Sequence, residues 1–190
     1  MSEVKIDDWA MPKIKNFRTY IDIGASNGKT SFPYVNKFKR IICFEPNPKS
    51  FVELSSNERL ECHNIALGDI EEIKTLIVNS ETQNPEHGSI SEIRNKDWTD
   101  GEKFEVQVKR LDDYKFFDDV DFIKIDTEQY ELNVIKGAVK TLKKNRPTIM
   151  FENKRNEADE AIIFLLDLGF TVKKYKSDTI AFYEDNNESN

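Results

Sequence analysis

Short apolar runs alternate with helix-like stretches through the middle of the chain. Residues 20–23, 41–44, 59–65, 122–125 and 148–151 are such runs, the third being the weakest. The first stops at Gly24, the second at Glu45-Pro46, the fourth at Asp126 and the fifth at Glu152. Runs this short and this rich in Ile and Phe predict strands buried on both faces of a parallel sheet. Helical patterns lie between them. Residues 48–57 form one, and Tyr130, Val134, Ile135, Ala138 and Leu142 repeat at helical spacing in a second. Ala158, Ile162, Leu165 and Leu166 mark a third, with Gly169 where a helix cap belongs. The alternation predicts a doubly wound α/β sheet with helices on both faces. After Gly169 the pattern changes to two runs, 170–175 and 179–183, around Lys176-Ser177-Asp178. That predicts a hairpin, so the sheet finishes with an antiparallel pair.

Residues 73–78 and 104–108 predict two further strands flanking a polar stretch, 79–103. A connection that long inside a compact domain is functional or disordered. It is expected to be an acceptor-side flap, with His87 as a weak candidate for substrate contact and Trp98 as an aromatic that could stack on a sugar.

Composition narrows the class. The 190 residues suit one domain with one sizeable core, with 1–17 as an N-terminal extension and 185–190 as a frayed tail. Lys plus Arg number 28 against 35 Asp plus Glu, a net charge of −7. That opposes a nucleic-acid partner, since the nearest basic feature is the pair Lys109-Arg110. The two cysteines, Cys43 and Cys62, have no C-x-x-C spacing, which argues against a disulfide scaffold or a Cys zinc site and for a reduced, cytoplasmic setting. The chain has no apolar run of about 18 residues and its first residues do not read as a secretory signal, so no membrane role is expected.

Chemistry enters at the strand ends. Residues 21–28 read Ile-Asp-Ile-Gly-Ala-Ser-Asn-Gly, a strand running into a small-residue turn and then, by pattern, a helix. Asp22, Gly24, Ala25, Ser26, Asn27 and Gly28 are therefore candidates for close backbone approach to a ligand. Three residues separate the two glycines and Lys29-Thr30 follows, so the phosphate-loop spacing is not met. Glu45 follows Gly24 by 21 residues (45 − 24). An acid about 20 residues after such a glycine, at the end of the second strand, accepts both ribose hydroxyls. Pro46 and Asn47 flank it, and Ala66 and Leu67, within Asn-Ile-Ala-Leu-Gly-Asp, could border a base edge. His63 reads as structural. At the fourth and fifth strand ends, Asp126, Glu128 and Glu152 crowd one mouth, with Lys124 on the strand parity that could balance them. Glu131 fits the first turn of the next helix.

These stretches together resemble the FkbM-type methyltransferases, which depend on S-adenosylmethionine (SAM). The matching segments are IDIGASNGKTS (21–31), FEPNP (44–48), NIALGD (64–69), LDDY (111–114), DFIKIDTEQYELNVIKGA (121–138) and MFE (150–152). The fourth-strand segment is the specific one. The resemblance implies a Rossmann-like, class I SAM-dependent methyltransferase fold, with a mostly parallel seven-stranded sheet and its last strand antiparallel. It implies methyl transfer to a hydroxyl, often of a sugar, a glycan or a natural product. One position departs from the family pattern of acid-Gly-x-acid: here it reads Glu128-Gln129-Tyr130-Glu131.

Methyl transfer to a hydroxyl needs an aligned oxygen and a proton acceptor. Asp126 is the first candidate acceptor and Glu152 the next. Asp126 could instead hold the ammonium of the SAM methionine. A metal-assisted variant would use Asp126, Glu152 and Asn153 as hard oxygen ligands for Mg²⁺ or Mn²⁺. A non-catalytic SAM-binding module would show a damaged donor site, and a dinucleotide oxidoreductase a different glycine spacing.

Overall fold

The computed structural model describes residues 6–78, 88–91, 101–114, 118–152, 157–175 and 177–184. Helix α1 (Ile6–Trp9) and a 3-10 turn (Met11–Lys13) lead into β1 (Thr19–Ile23). Then come β2 (Arg40–Phe44), α2 (Pro48–Ser55), β3 (Glu61–His63), β4 (Ala66–Leu67) and β5 (Glu72–Val78). Strands β6 (Gly88–Ser89), β7 (Glu102–Lys109) and β8 (Val120–Ile125) follow. Helices α3 (Glu131–Lys136) and α4 (Val139–Asn145) precede β9 (Thr148–Glu152). Helix α5 (Glu157–Asp167) and the hairpin β10 (Thr171–Tyr175) and β11 (Asp178–Phe182) complete the described chain.

Seven strands form the main sheet in the order β10-β11-β9-β8-β1-β2-β3. From β9 to β3 every pair is parallel, and β11 runs antiparallel to both β9 and β10. The doubly wound sheet and its antiparallel finish are as the sequence predicts. The predicted strands at 73–78 and 104–108 belong to a second, four-stranded sheet, β4-β7-β5-β6.

Strand parity divides the core. Ile21, Ile23, Ile123, Ile125, Ile149 and Phe151 pack with Val134, Ile135, Leu142 and Leu165 of the C-terminal helices. Tyr20, Ile41, Cys43, Phe122 and Met150 face the other way, toward Ile6, Met11, Tyr34, Phe38 and Leu54. Both sides of the central strands are sealed, which is why their sequences run apolar without alternation. Burying each such side chain contributes about 1.5–3 kcal/mol.

The helical run at 130–142 divides into α3 and α4 at Gly137-Ala138. A Cβ on Gly137 would lie 1.8 Å from the Gly68 carbonyl oxygen, so only glycine permits this contact. Asp112 then restarts the helix, its carboxylate accepting from the amides of Lys140 and Thr141 at 2.8 Å each.

Candidate functional site

Strands β9, β8, β1 and β2 are neighbours and parallel, so their carboxyl ends bring Glu152, Asp126, Gly24 and Glu45 to one edge. The chain winds outward from β1 through β2 and β3, then returns to β8 on the other side. The β1–β8 gap is therefore the switch point where open α/β sheets bind ligands.

The turn after β1 is held by two amides, Gly24 and Ala25, which donate to the Phe44 carbonyl at 2.9 and 3.1 Å. Gly24 has φ +78°, and a Cβ there would lie 1.9 Å from the Asp126 carbonyl oxygen. The glycine is required for the approach of β1 to β8, whereas the sequence reading assigned it to the approach of a ligand. The α-helix expected next does not form. Ser26 at φ +51° and Gly28 at φ +84° are left-handed, which an α-helix does not admit, and Pro33 lacks an amide. The segment instead makes turns and a short 3-10 helix, Phe32–Tyr34. No α-helix N-terminus follows this turn. Asn27 leans away, donating to Glu53 at 3.3 Å. Gly28 packs against Leu54. Ala25 is buried in the core.

Glu45 is 6% exposed. Its two carboxylate oxygens accept from the Ser26 and Asn47 amides, both at 2.7 Å. Burial pushes its carboxyl up to about 7, against the opposing pull of those amides. Asn47 also caps α2, accepting from the Lys49 amide at 3.0 Å. The Pro46 carbonyl accepts from Asn64. Ser26 Oγ is buried with no hydrogen-bond partner among the described residues, an orphaned polar atom beside the Glu45 carboxylate. Ala66 and Leu67, expected near a base edge, lie in β4 with side chains buried in the core. Only their backbone is left to meet a ligand. His63 stacks on Phe44 with ring centroids 5.0 Å apart, in line with a structural role.

At the other side of the gap, oxygens of Asp126, Glu128 and Glu152 all lie within 4.8 Å of one another. Asn153, His87, Trp98 and most of 79–103 lie outside the described residues. The Asp126 side chain is 44% exposed. Lys124 sits beneath it, its Nζ 3.4 Å from Asp126 and 3.2 Å from Asp22. Burial alone would lower the Lys124 pKa, but Asp22 and Asp126 outweigh it and the ammonium is held above the usual lysine range. Asp22 is fully buried, and its second oxygen accepts from Ser31 Oγ at 2.5 Å. Asp22 thus supports Lys124 from below the mouth. Ser31 belongs to the quoted glycine-turn segment yet carried no assignment from sequence. Ser89, which carried no signal at all, ties β6 to the site by donating to the Glu128 carbonyl at 2.7 Å. That places one described part of the long polar stretch beside the acidic mouth.

Glu131 lies in the first turn of α3, as the sequence predicts, and its side chain also shapes the loop between Asp126 and α3. Its Oε1 accepts from the amides of Thr127 and Gln129 at 3.0 and 3.2 Å. The loop forces Glu128 to φ +52° and Gln129 to φ +74°. The departure from the family glycine thus puts a side chain where the backbone favours none. Gln129→Gly should stabilise the fold by about 0.5–1 kcal/mol, read as a higher urea midpoint at unchanged slope. A less stable glycine variant would show that the glutamine side chain makes a compensating contact.

A separate shallow cavity of about 210 Å³ lies over the β10–β11 hairpin, lined by residues including Trp9, Lys13, Lys173 and Phe182. None of the strand-end carboxylates lines it.

The comparisons with known proteins bear on the family and the fold. The model of the methyltransferase FkbM domain matches residues 22–172. The structure of methyltransferase FkbM from Methylobacillus flagellatus is similar at TM-score 0.59 and 18% identity, covering 87% of this chain and 43% of that one. The present chain thus spans less than half of that relative. An rRNA methylase from Streptococcus thermophilus is similar at TM-score 0.57 and 10% identity, covering 97% of this chain and 99% of that one. A Streptococcus mutans structure in complex with SAH gives TM-score 0.52 and 10% identity, covering 96% and 99% respectively. At these identities the structures share the fold alone. No curated protein matches the sequence. The FkbM model runs from Asp22 through the glycine turn, Glu45 and the acidic strand ends to the start of the final hairpin, and on that match the chain belongs to the FkbM methyltransferase family.

Proposed function

We propose that this protein is a SAM-dependent O-methyltransferase acting on a hydroxyl of a sugar, a glycan or a small natural product. The observation that carries the proposal is the Glu45 carboxylate, fixed by two backbone amides at the same carboxyl edge of the sheet as Asp126. The residues fit SAM on the chemistry of the donors. A carboxylate with spare lone pairs suits a vicinal diol, the orphaned Ser26 Oγ offers a further polar contact, and the acidic surroundings tolerate a sulfonium. When bound, SAM supplies a methyl group on a positively charged sulfur. Glu45 would hold the ribose, and the Gly24–Gly28 turn would line the nucleoside. Asp126, oriented by Lys124, would accept the hydroxyl proton or hold the methionine ammonium, with Glu152 and Glu128 completing the mouth. The SAH-bound structure of the same fold supports the choice of cofactor. The fold itself does not choose the acceptor, since it also serves an rRNA methylase. The net charge of −7 favours a small or neutral acceptor over a nucleic acid. Among the described residues no helix is long and apolar enough to cross a membrane, and both cysteines are free thiols. The cytoplasmic setting is proposed from the sequence, whose two cysteines have no C-x-x-C spacing.

Glu45→Ala should weaken SAM binding by about 1.5–3 kcal/mol, the scale of charge-assisted hydrogen bonds. The pH dependence has a defined sign. A protonated Glu45 cannot accept from both diol hydroxyls, so affinity should climb as pH rises through about 7 and then level off. Folding stability runs the other way. Because the folded pKa exceeds the unfolded one, Glu45's contribution is full below about 4.5 and is lost as pH rises toward 7. Calorimetry of SAM binding between pH 5.5 and 8.5 checks the first trend, and Glu45→Gln should flatten it. Unchanged affinity in a folded Glu45→Ala variant would remove Glu45 from the ribose.

A metal-assisted version is favoured by one observation, the convergence of Asp126, Glu128 and Glu152. Against it, Lys124 already neutralises Asp126. If a cation takes part, a chelator should silence transfer and Mg²⁺ or Mn²⁺ should restore it. Activity indifferent to chelator removes the cation and leaves the proton-acceptor and ammonium-holding roles of Asp126.

A further inference from the structure

Beneath the donor edge, one row of side chains crosses four in-register parallel strands. Cys62 on β3 stands opposite Cys43 on β2, Cys43 opposite Asp22 on β1, and Asp22 opposite Lys124 on β8. Residues opposite one another in a parallel ladder point to the same face, and their strands run about 4.8 Å apart. That spacing falls within the Cα separation that a disulfide spans, about 4.4–6.8 Å. Cys43 and Cys62 both join the core cluster on the Tyr20 side of the sheet. They differ in access: Cys43 is fully buried, whereas Cys62 is half-buried at the edge strand. The Cys62 sulfur now rests 3.7 and 3.6 Å from the carbonyl oxygens of Leu54 and Leu60. These are weak contacts that a rotated side chain would give up at little cost.

We propose that Cys43 and Cys62 form a reversible dithiol–disulfide pair that cross-links β2 to β3 when a low-molecular-weight disulfide is supplied. Cys62 is the entry thiol, being the accessible one. Its thiolate attacks a sulfur of oxidised glutathione, forms a mixed disulfide and expels one glutathione thiolate. Cys43 then loses its proton to solvent, attacks the Cys62 sulfur and expels the second glutathione thiolate. Two protein thiols are oxidised to one disulfide, and one oxidised glutathione is reduced to two thiols. A hydrogen bond to Cys62 and burial hold the Cys43 thiol well above the usual range, so Cys62 ionises first and Cys43 serves as the slower, resolving partner. The bridge would sit two residues before Glu45 on the strand that carries it. Transient pairs of this kind are the form that disulfides take in reducing compartments.

The test uses the full chain, reduced and desalted, then incubated with oxidised glutathione at pH 8 in native buffer and, in parallel, in denaturing urea. Remaining thiols are alkylated after acid quench and the intact mass is read. The chain has only these two cysteines, so each product is distinct. The expected native product is a monomer two hydrogens lighter than the reduced chain, with no alkylation, whose bridge needs more reduced glutathione to open than the bridge made in urea. Cys43→Ala should stop at a glutathione adduct on Cys62. The proposal is overturned if the native protein keeps two alkylatable thiols, accumulates only the mixed disulfide, cross-links between chains, or bridges only in urea. An unmodified Cys62 in Cys43→Ala would overturn its assignment as the entry thiol.

Discussion

Asp126→Asn should lower kcat by about 10²–10⁴-fold while changing SAM affinity by only a few fold, if Asp126 takes the proton of the acceptor hydroxyl. The substitution keeps the shape of the side chain and removes both its charge and its basicity. Local packing is little disturbed, because the side chain is 44% exposed and its ionic partner is Lys124 at 3.4 Å. The backbone contacts that shape the edge are untouched, since the Asp126 amide still donates to the Ile23 carbonyl at 2.9 Å. Two other roles make different patterns. If Asp126 holds the methionine ammonium, SAM affinity falls first and kcat recovers at saturation. If it binds a cation, the wild type loses activity to a chelator and the variant is already inactive. Single-turnover rates with labelled SAM, alongside calorimetric SAM affinity, separate these outcomes. Full activity with unchanged affinity and no chelator effect would leave Asp126 a structural acid.

How far the site could be read from sequence depended on what each residue touches. The strand-end positions were legible because they follow from element order: an acid after an apolar run in an α/β alternation reaches the carboxyl edge wherever the strand pairs. Glu45, Asp126 and Glu152 are of this kind. The buried acid Asp22 was assigned to the ligand because its neighbours are glycines, yet its carboxylate meets Lys124 and Ser31. Only the lateral register of β1 and β8 reveals that pairing. Residues 64–69 and 111–114 are segments that carry the family resemblance, and the structure gives members of both packing work. Gly68 admits Gly137, Asp69 accepts from Asn133 at 3.0 Å, and Asp112 caps α4. Such long-range clamps leave no periodic trace. The helix expected after Gly24 failed for a local reason, since a serine and a glycine in left-handed conformation had no marker beyond their small size.

The largest stability effect should come from Lys124→Met, at about 3–5 kcal/mol near pH 8, because the change strands a buried carboxylate. Asp22 is 0% exposed and the Lys124 side chain 11%, so solvent cannot replace the lost ammonium. Ser31 Oγ, 2.5 Å away, would remain as a hydrogen-bond donor to the Asp22 carboxylate, but it carries no charge. Methionine fills most of the lysine volume, which confines the change to charge. The loss is read between pH 5 and pH 8. Wild-type Lys124 adds no slope across that window. Its raised pKa keeps its contribution whole below the ordinary lysine range, and the contribution is lost only as pH climbs beyond it. Asp22→Asn in the Lys124→Met background should recover part of the stability at pH 8, since the amide carries no charge to strand. Activity should fall in the single variant as well, because Asp126 loses the cation that orients it. Urea melts at pH 5 and pH 8 decide the matter. A loss under about 1 kcal/mol at pH 8 would mean that the fold does not depend on the Lys124–Asp22 contact as a charge pair. The Asp126–Lys124–Asp22 chain would then hold the mouth by hydrogen bonds rather than by charge.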